Sequence, residues 1–188
     1  SNEAFSDGVT VTQNAPTITI SADAVYATNE SPFTVFVDFS SDVSGFDQGD
    51  VSVSNATVDV FIGSGTEYSF EVTPSAEGDI IIEVADGVAQ DADGIGNVGG
   101  QFTMLYDITA PLAGSVIDGT QEDLDWSSDP ASLTSTWTGF SDSLSGIGLY
   151  EYAIGKTSGG TDVLDWTSSG KDTTITPQDS LYQMEPPI

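Results

Sequence analysis

Apolar and polar residues alternate through most of the first 110 positions, in short blocks separated by Gly, Pro, Asn and Asp. The blocks are PTITISA (16–22), FTVFVDFS (33–40), VSVSN (51–55), TVDVFI (57–62), EYSFEVT (67–73), DIIIEVA (79–85) and QFTMLYD (101–107). A period of two places successive side chains on opposite faces of a strand, so each block predicts a strand with one buried face. The faces predicted to be buried carry Val35, Val37 and Phe39, then Tyr68, Phe70 and Val72, then Ile80, Ile82 and Val84. Seven short strands with turn residues between them predict two antiparallel sheets packed face to face. An acidic, glycine-rich loop (86–97) separates the last two strands. No helical period of useful length interrupts the pattern.

Three motifs add to this pattern. Gly45-Phe46-Asp47 opens a stretch that continues through Tyr68-Ser69-Phe70-Glu71-Val72-Thr73-Pro74-Ser75-Ala76-Glu77-Gly78. It closes with Asp93-Gly94-Ile95-Gly96-Asn97 and Asp107-Ile108-Thr109-Ala110-Pro111. This stretch, about a third of the chain, closely resembles one repeat of the bacterial Ig-like domains strung along large secreted surface proteins. The resemblance implies a seven-strand sandwich over 15–110 and an extracellular or cell-surface setting. Residues 1–14 read as a linker or the tail of a preceding domain. They contain neither a basic nor an apolar leader segment, so a secretion signal is expected upstream in a longer parent.

Pro111 ends this vocabulary. It has no N–H to give a strand ladder and holds Ala110 extended, as expected of a short hinge. The second region, 111–188, also reads as β-structure. Leu133-Thr134-Ser135-Thr136-Trp137, Phe140-Ser141-Asp142 with Ser145-Gly146-Ile147, and Tyr150-Glu151-Tyr152-Ala153-Ile154-Gly155 carry a resemblance to fibronectin type III-like modules of the same class of bacterial proteins. Five strands are recognisable up to Ile175, and PQDSLYQMEPPI has room for one more short strand. A complete module needs about seven. The expectation is a sandwich that is truncated or completed by another segment, and the fold class is all-β with two tandem β-sandwiches.

Composition narrows the chemistry. Thirty acidic residues face two lysines, Lys156 and Lys171, for a net charge of −28. Such a field repels phosphate backbones and anionic lipid headgroups and attracts cations, so nucleic acid and direct membrane insertion are poor expectations. Without cysteine there is neither a disulfide frame nor a thiolate nucleophile. The lack of histidine removes the Ser-His-Asp triad and histidine-ligated metals. Oxygen-ligated hard cations and carboxylate pairs remain.

The acidic loop is the first place to look. Asp91, Asp93 and Asn97 stand at odd positions among glycines, a spacing similar to the start of an EF-hand loop but without its closing glutamate. Strand parity brings Asp47 and Asp50 to the same end. Calcium is therefore the candidate cofactor, and an ordinary Asp/Gly turn bonded to its own backbone is the alternative. The opposite end gathers Asp23, Glu30, Glu77 and Asp107, where a calcium-stiffened junction competes with a plain hinge. Trp137 reads as a core tryptophan. Trp126 and Trp166, each following Leu-Asp, are candidate sugar-stacking residues or caps on a small core. Asn55-Ala56-Thr57 fits a glycosylation sequon. No catalytic site is expected, and a carboxylate pair of the glycosidase kind lacks any sign of a cleft.

The expected function is a non-catalytic adhesion or spacer segment. Its expected partners are neighbouring domains of the same long chain, with surface glycans or host cell-surface proteins as further candidates. The alternative is an accessory, carbohydrate-binding or spacing module of a secreted polysaccharide-degrading enzyme.

Overall fold

The computed structural model describes residues 14–118, 133–157 and 159–177. The chain divides into two compact units, Ser1–Ile108 and Thr109–Ile188. The proposed linker at 1–14 falls almost wholly outside the described residues, as does Trp126.

The first unit contains six runs of extended backbone: β1 (Ile18–Ala22), β2 (Phe33–Val43), β3 (Val51–Ser54), β4 (Ala56–Pro74), β5 (Gly78–Val84) and β6 (Gly100–Tyr106). They form two antiparallel sheets, ordered β1-β2-β4 and β3-β5-β6. The register sets apolar residue against apolar residue: Val35 opposite Phe70, Val37 opposite Tyr68, Val53 opposite Ile82, and Ile80 opposite Met104. Val35, Val37, Val72, Ile80 and Ile82 are completely buried. Period-two burial thus holds for the three sets named for it, on β2, on 67–73 and on β5. It breaks at Val60 on 57–62, where φ is +52° and Val60 and Ile62 are exposed, and at Met104 and Leu105, which are buried in succession. Each fully buried Val, Ile or Phe contributes roughly 1.5–3 kcal/mol relative to exposure, and the core runs unbroken from Phe33 to Met104.

The sequence predicts separate strands at 57–62 and 67–73, and the structure shows them as the two arms of one run, β4. The chain doubles back between Gly63 and Gly65. Phe61 stacks on Phe70 at 6.1 Å between ring centroids. At the open end the Ser75 N–H reaches the Asn55 carbonyl at 2.9 Å. Gly63 has φ +136°, and a Cβ there would overlap the Glu67 carbonyl and the Tyr68 backbone. Only glycine fits a turn this tight. With β4 counted as two arms the unit has its seven strands, arranged four against three. An odd number of antiparallel strands brings the chain in at one end and lets it out at the other. Accordingly Pro16 lies at the end holding the 86–97 loop, bonded through its carbonyl to Val98, whereas Asp107 pairs with Thr28 at the far end.

The second unit contains β7 (Ser115–Asp118), β8 (Ser135–Thr138), β9 (Tyr150–Ile154), β10 (Leu164–Gly170) and β11 (Thr174–Ile175). These form a three-stranded sheet, β7-β8-β11, and a two-stranded sheet, β9-β10. Five strands are present among the described residues, at the places the sequence pattern indicated. Packing differs sharply from the first unit. Among the described residues, only Trp137 of the buried apolar side chains belongs here, while Val116, Leu149 and Trp166 are more than half exposed.

Candidate functional site

The loop end of the first unit is built by two backbone hydrogen bonds. The Ser44 N–H donates to the Gln90 carbonyl at 2.8 Å, and the Gln90 N–H returns to the Ser44 carbonyl at 3.0 Å. They tie the loop after β2 to the 86–97 loop, so Asp47, Asp50, Asp91, Asp93 and Asn97 belong to one end of the sandwich.

Sharing an end does not bring their oxygens together. Asp47 caps a single turn of 3₁₀ helix (Gln48–Asp50): its Oδ1 accepts from the Gly49 N–H at 2.7 Å. Asp50 answers by accepting from the Asp47 N–H at 2.9 Å, a reciprocal capping box. Asp91 Oδ1 accepts from the N–H groups of Asp93 and Ile95, at 3.0 and 2.9 Å, which fixes the turn around Gly94. Asn97 is 3 % exposed. Its Oδ1 accepts from Ala89 N–H at 2.9 Å and its Nδ2 donates to the Ala85 carbonyl at 3.0 Å. Among the described residues no three acidic side chains are grouped to hold a metal ion. Three of the four carboxylates and the asparagine are thus bonded to nearby backbone, and Asp93 contributes its own N–H to that network.

The far end is organised in the same manner. Asp23 Oδ1 accepts from Thr34 N–H at 2.8 Å, and Glu77 Oε1 accepts from Ile108 N–H at 2.9 Å. Asp107 is buried beside Thr28, whose hydroxyl accepts from Glu30 N–H. Asn55 of the sequon has φ +58° and donates its side-chain amide to the Ala76 carbonyl, closing the β4 arms.

In the second unit two aspartates organise loops. Asp142 Oδ1 accepts from Leu144, Ser145 and Gly146 N–H groups at 2.9, 2.9 and 3.3 Å. The Leu144 bond foremost, helped by the other two and opposed by desolvation, holds the Asp142 carboxyl below the ordinary aspartate value. Stability from this turn is therefore present above the ordinary value and is lost as pH falls through the lowered one. Asp162 is lowered likewise, chiefly by the Lys156 N–H.

The tryptophans divide by burial. Trp137, on β8, is buried with its ring edge against Tyr150 at 5.7 Å, but its indole Nε1 has no hydrogen-bond partner among the described residues. Trp166, on β10, is 64 % exposed. Both line an open cavity of about 580 Å³ between the two small sheets. Sequence reasoning placed Trp137 in a core and missed the cavity beside it, because nothing in a strand's own pattern reveals whether its facing sheet is complete.

A search among curated proteins returns no match. The model of the family described as bacterial Ig-like domain matches residues 12–108, just over half of the chain. That interval coincides with the four-against-three sandwich and includes both of its loop ends. The likeness of the second unit to fibronectin type III modules rests on its sequence motifs. The chain belongs to the bacterial Ig-like domain family.

Proposed function

We propose that this chain is a spacer and adhesion segment of an extracellular bacterial protein, with a fibronectin-like module following the Ig-like one. Bacterial Ig-like domains are modules of a non-catalytic, extracellular type. The observation that carries the spacer reading is the strand parity of the first unit: the chain enters at the 86–97 loop end and leaves at the Asp107 end. A module with its ends at opposite poles lengthens a chain when placed in series and transmits load along its strands. Pulling the protein from residues 14 and 108 should give one cooperative rupture with a contour gain of about 30 nm, from roughly 3.4 Å per residue released. Gradual extension without a rupture would overturn the mechanical reading.

The exposed Trp166 ring, next to Asp165, favours a second reading, a carbohydrate-binding accessory module. A polysaccharide array separates the two, since binding to one glycan that is lost in Trp166→Ala supports the accessory role.

At the loop end the geometry favours charge screening over a dedicated calcium site. Calcium and sodium at matched ionic strength should therefore raise the melting temperature alike. A calcium-specific rise that disappears in Asp91→Asn with Asp93→Asn would instead establish a bound ion.

A further inference from the structure

In the second unit a large aromatic ring stays in water beside strands that offer it burial. Trp166, on β10, is 64 % exposed, whereas Tyr152 and Ile154 on the neighbouring β9 are partly buried. The cause is local. β9 and β10 pair Ile154 with Leu164 and Tyr152 with Thr167, so Asp165 and Trp166 together oppose Ala153. Two residues against one make a β-bulge. In an unbroken ladder Trp166 would stand opposite Tyr152 and pack on it. The bulge gives that place to Thr167 and leaves the ring exposed.

Asp165 holds the bulge in place. Its Oδ1 accepts from the Trp166 N–H at 2.8 Å, and its carbonyl accepts from the Thr167 hydroxyl at 2.8 Å. Trp166 lines the cavity of about 580 Å³, a volume within the range of small-molecule sites. An aromatic cluster forms part of the wall: Tyr150 meets Trp137 and Phe140 edge to face, at 5.7 and 6.0 Å between ring centroids. Tyr152 lines the cavity as well, and Glu151 and Thr157 are exposed polar residues of its lining.

We propose that this cavity binds a neutral saccharide, with Trp166 as the platform on which one pyranose ring stacks. The inference rests on the accessory-module reading given above and adds to it a site and a ligand class. A pyranose ring presents C–H groups on its faces and hydroxyls at its edge. An open indole face meets the first, and oxygen atoms such as those of Glu151 and Thr157 meet the second. Charge decides the class of sugar, since thirty acidic residues against two lysines repel uronic and sialic acids. An onium ion suits that charge, but the aromatic sites that hold such ions cage them between rings. Trp166 stands open.

NMR titration of the intact chain tests it, with dextran, arabinoxylan, galactomannan and laminarin as neutral probes. Polygalacturonate and tetramethylammonium serve as the charged ones. At least one neutral polymer should shift the Trp166 indole and Tyr152 amide signals, and neither charged probe should. Trp166→Ala should weaken that binding at least about 10-fold, while the amide signals of β8 stay in place as the folding control. Asp165→Ala should weaken it about 3-fold or more by loosening the bulge. Asp165→Asn, which keeps the acceptor oxygen, should restore it. Binding of a neutral polymer that survives Trp166→Ala overturns this site and leaves the accessory reading standing. No binding by any neutral polymer overturns both. A shift at Trp166 caused by either charged probe overturns the assigned ligand class.

Discussion

Asn97 shows how a residue chosen as a cation ligand can serve the backbone instead. Its side chain is buried, with one end bonded to Ala89 N–H and the other to the Ala85 carbonyl. Asn97→Ala should cost about 1–3 kcal/mol, because it strands the buried Ala89 N–H and removes the bond to the Ala85 carbonyl. Urea unfolding should show a lower midpoint with an unchanged slope. Asn97→Asp should also destabilise, since it removes the donor to Ala85; a variant stabilised by calcium would reveal a ligand role. Val60 argues in the other direction. Its φ of +52° is a left-handed conformation rare for a β-branched residue, and its side chain is 58 % exposed. The strain is roughly 1–2 kcal/mol and little burial would be lost, so Val60→Gly should leave stability unchanged or raise it by up to about 1 kcal/mol.

Among the elements, β4 carries the most information about the fold. Its two arms were legible in the sequence as separate strands because each has its own alternation, TVDVFI and EYSFEVT. Their union was not legible, since it depends on a tight reversal at Gly63–Gly65. Gly63→Ala should cost about 2 kcal/mol or more, combining an unfavourable φ with overlap against Glu67 and Tyr68. The loss should appear as a lower urea midpoint for the first unit. The loops followed another logic. Asp47 with Asp50, and Asp91 with Ile95, are local side-chain-to-backbone motifs. Short aspartate side chains favour such turns for the same reason that they favour cations: both present N–H groups or positive charge to a carboxylate oxygen.

For the whole molecule, the uneven cores should separate the two units thermally. Among the described residues, fifteen buried apolar side chains from Phe33 to Leu105 lie in the first unit, and Trp137 stands alone in the second. Calorimetry of the intact chain should resolve two transitions, the second unit melting first. Ile82→Ala removes a completely buried side chain at a cost of about 2–5 kcal/mol, and should lower only the upper transition, by roughly 10 °C or more. Added sodium chloride should raise both, because a chain with 30 acidic residues and two lysines gains from screening its self-repulsion.

The alternation of Val35, Val37 and Phe39, and of Ile80, Ile82 and Val84, was enough by itself to determine the strands and their buried faces. A one-residue slip would expose each whole set, so the pattern admits one solution. The absence of cysteine, histidine and arginine likewise settled which chemistries lack their residues. Tertiary structure alone decided what depends on atoms far apart in sequence. The bonds between Ser44 and Gln90 bring two loops together, while the local turns within those loops direct Asp47, Asp50 and Asp91 oxygens to backbone. The unpartnered indole of Trp137 and the cavity beside it arise only when two small sheets face each other. Alternation fixes which way a side chain points, but the space it points into is set by strands elsewhere in the chain.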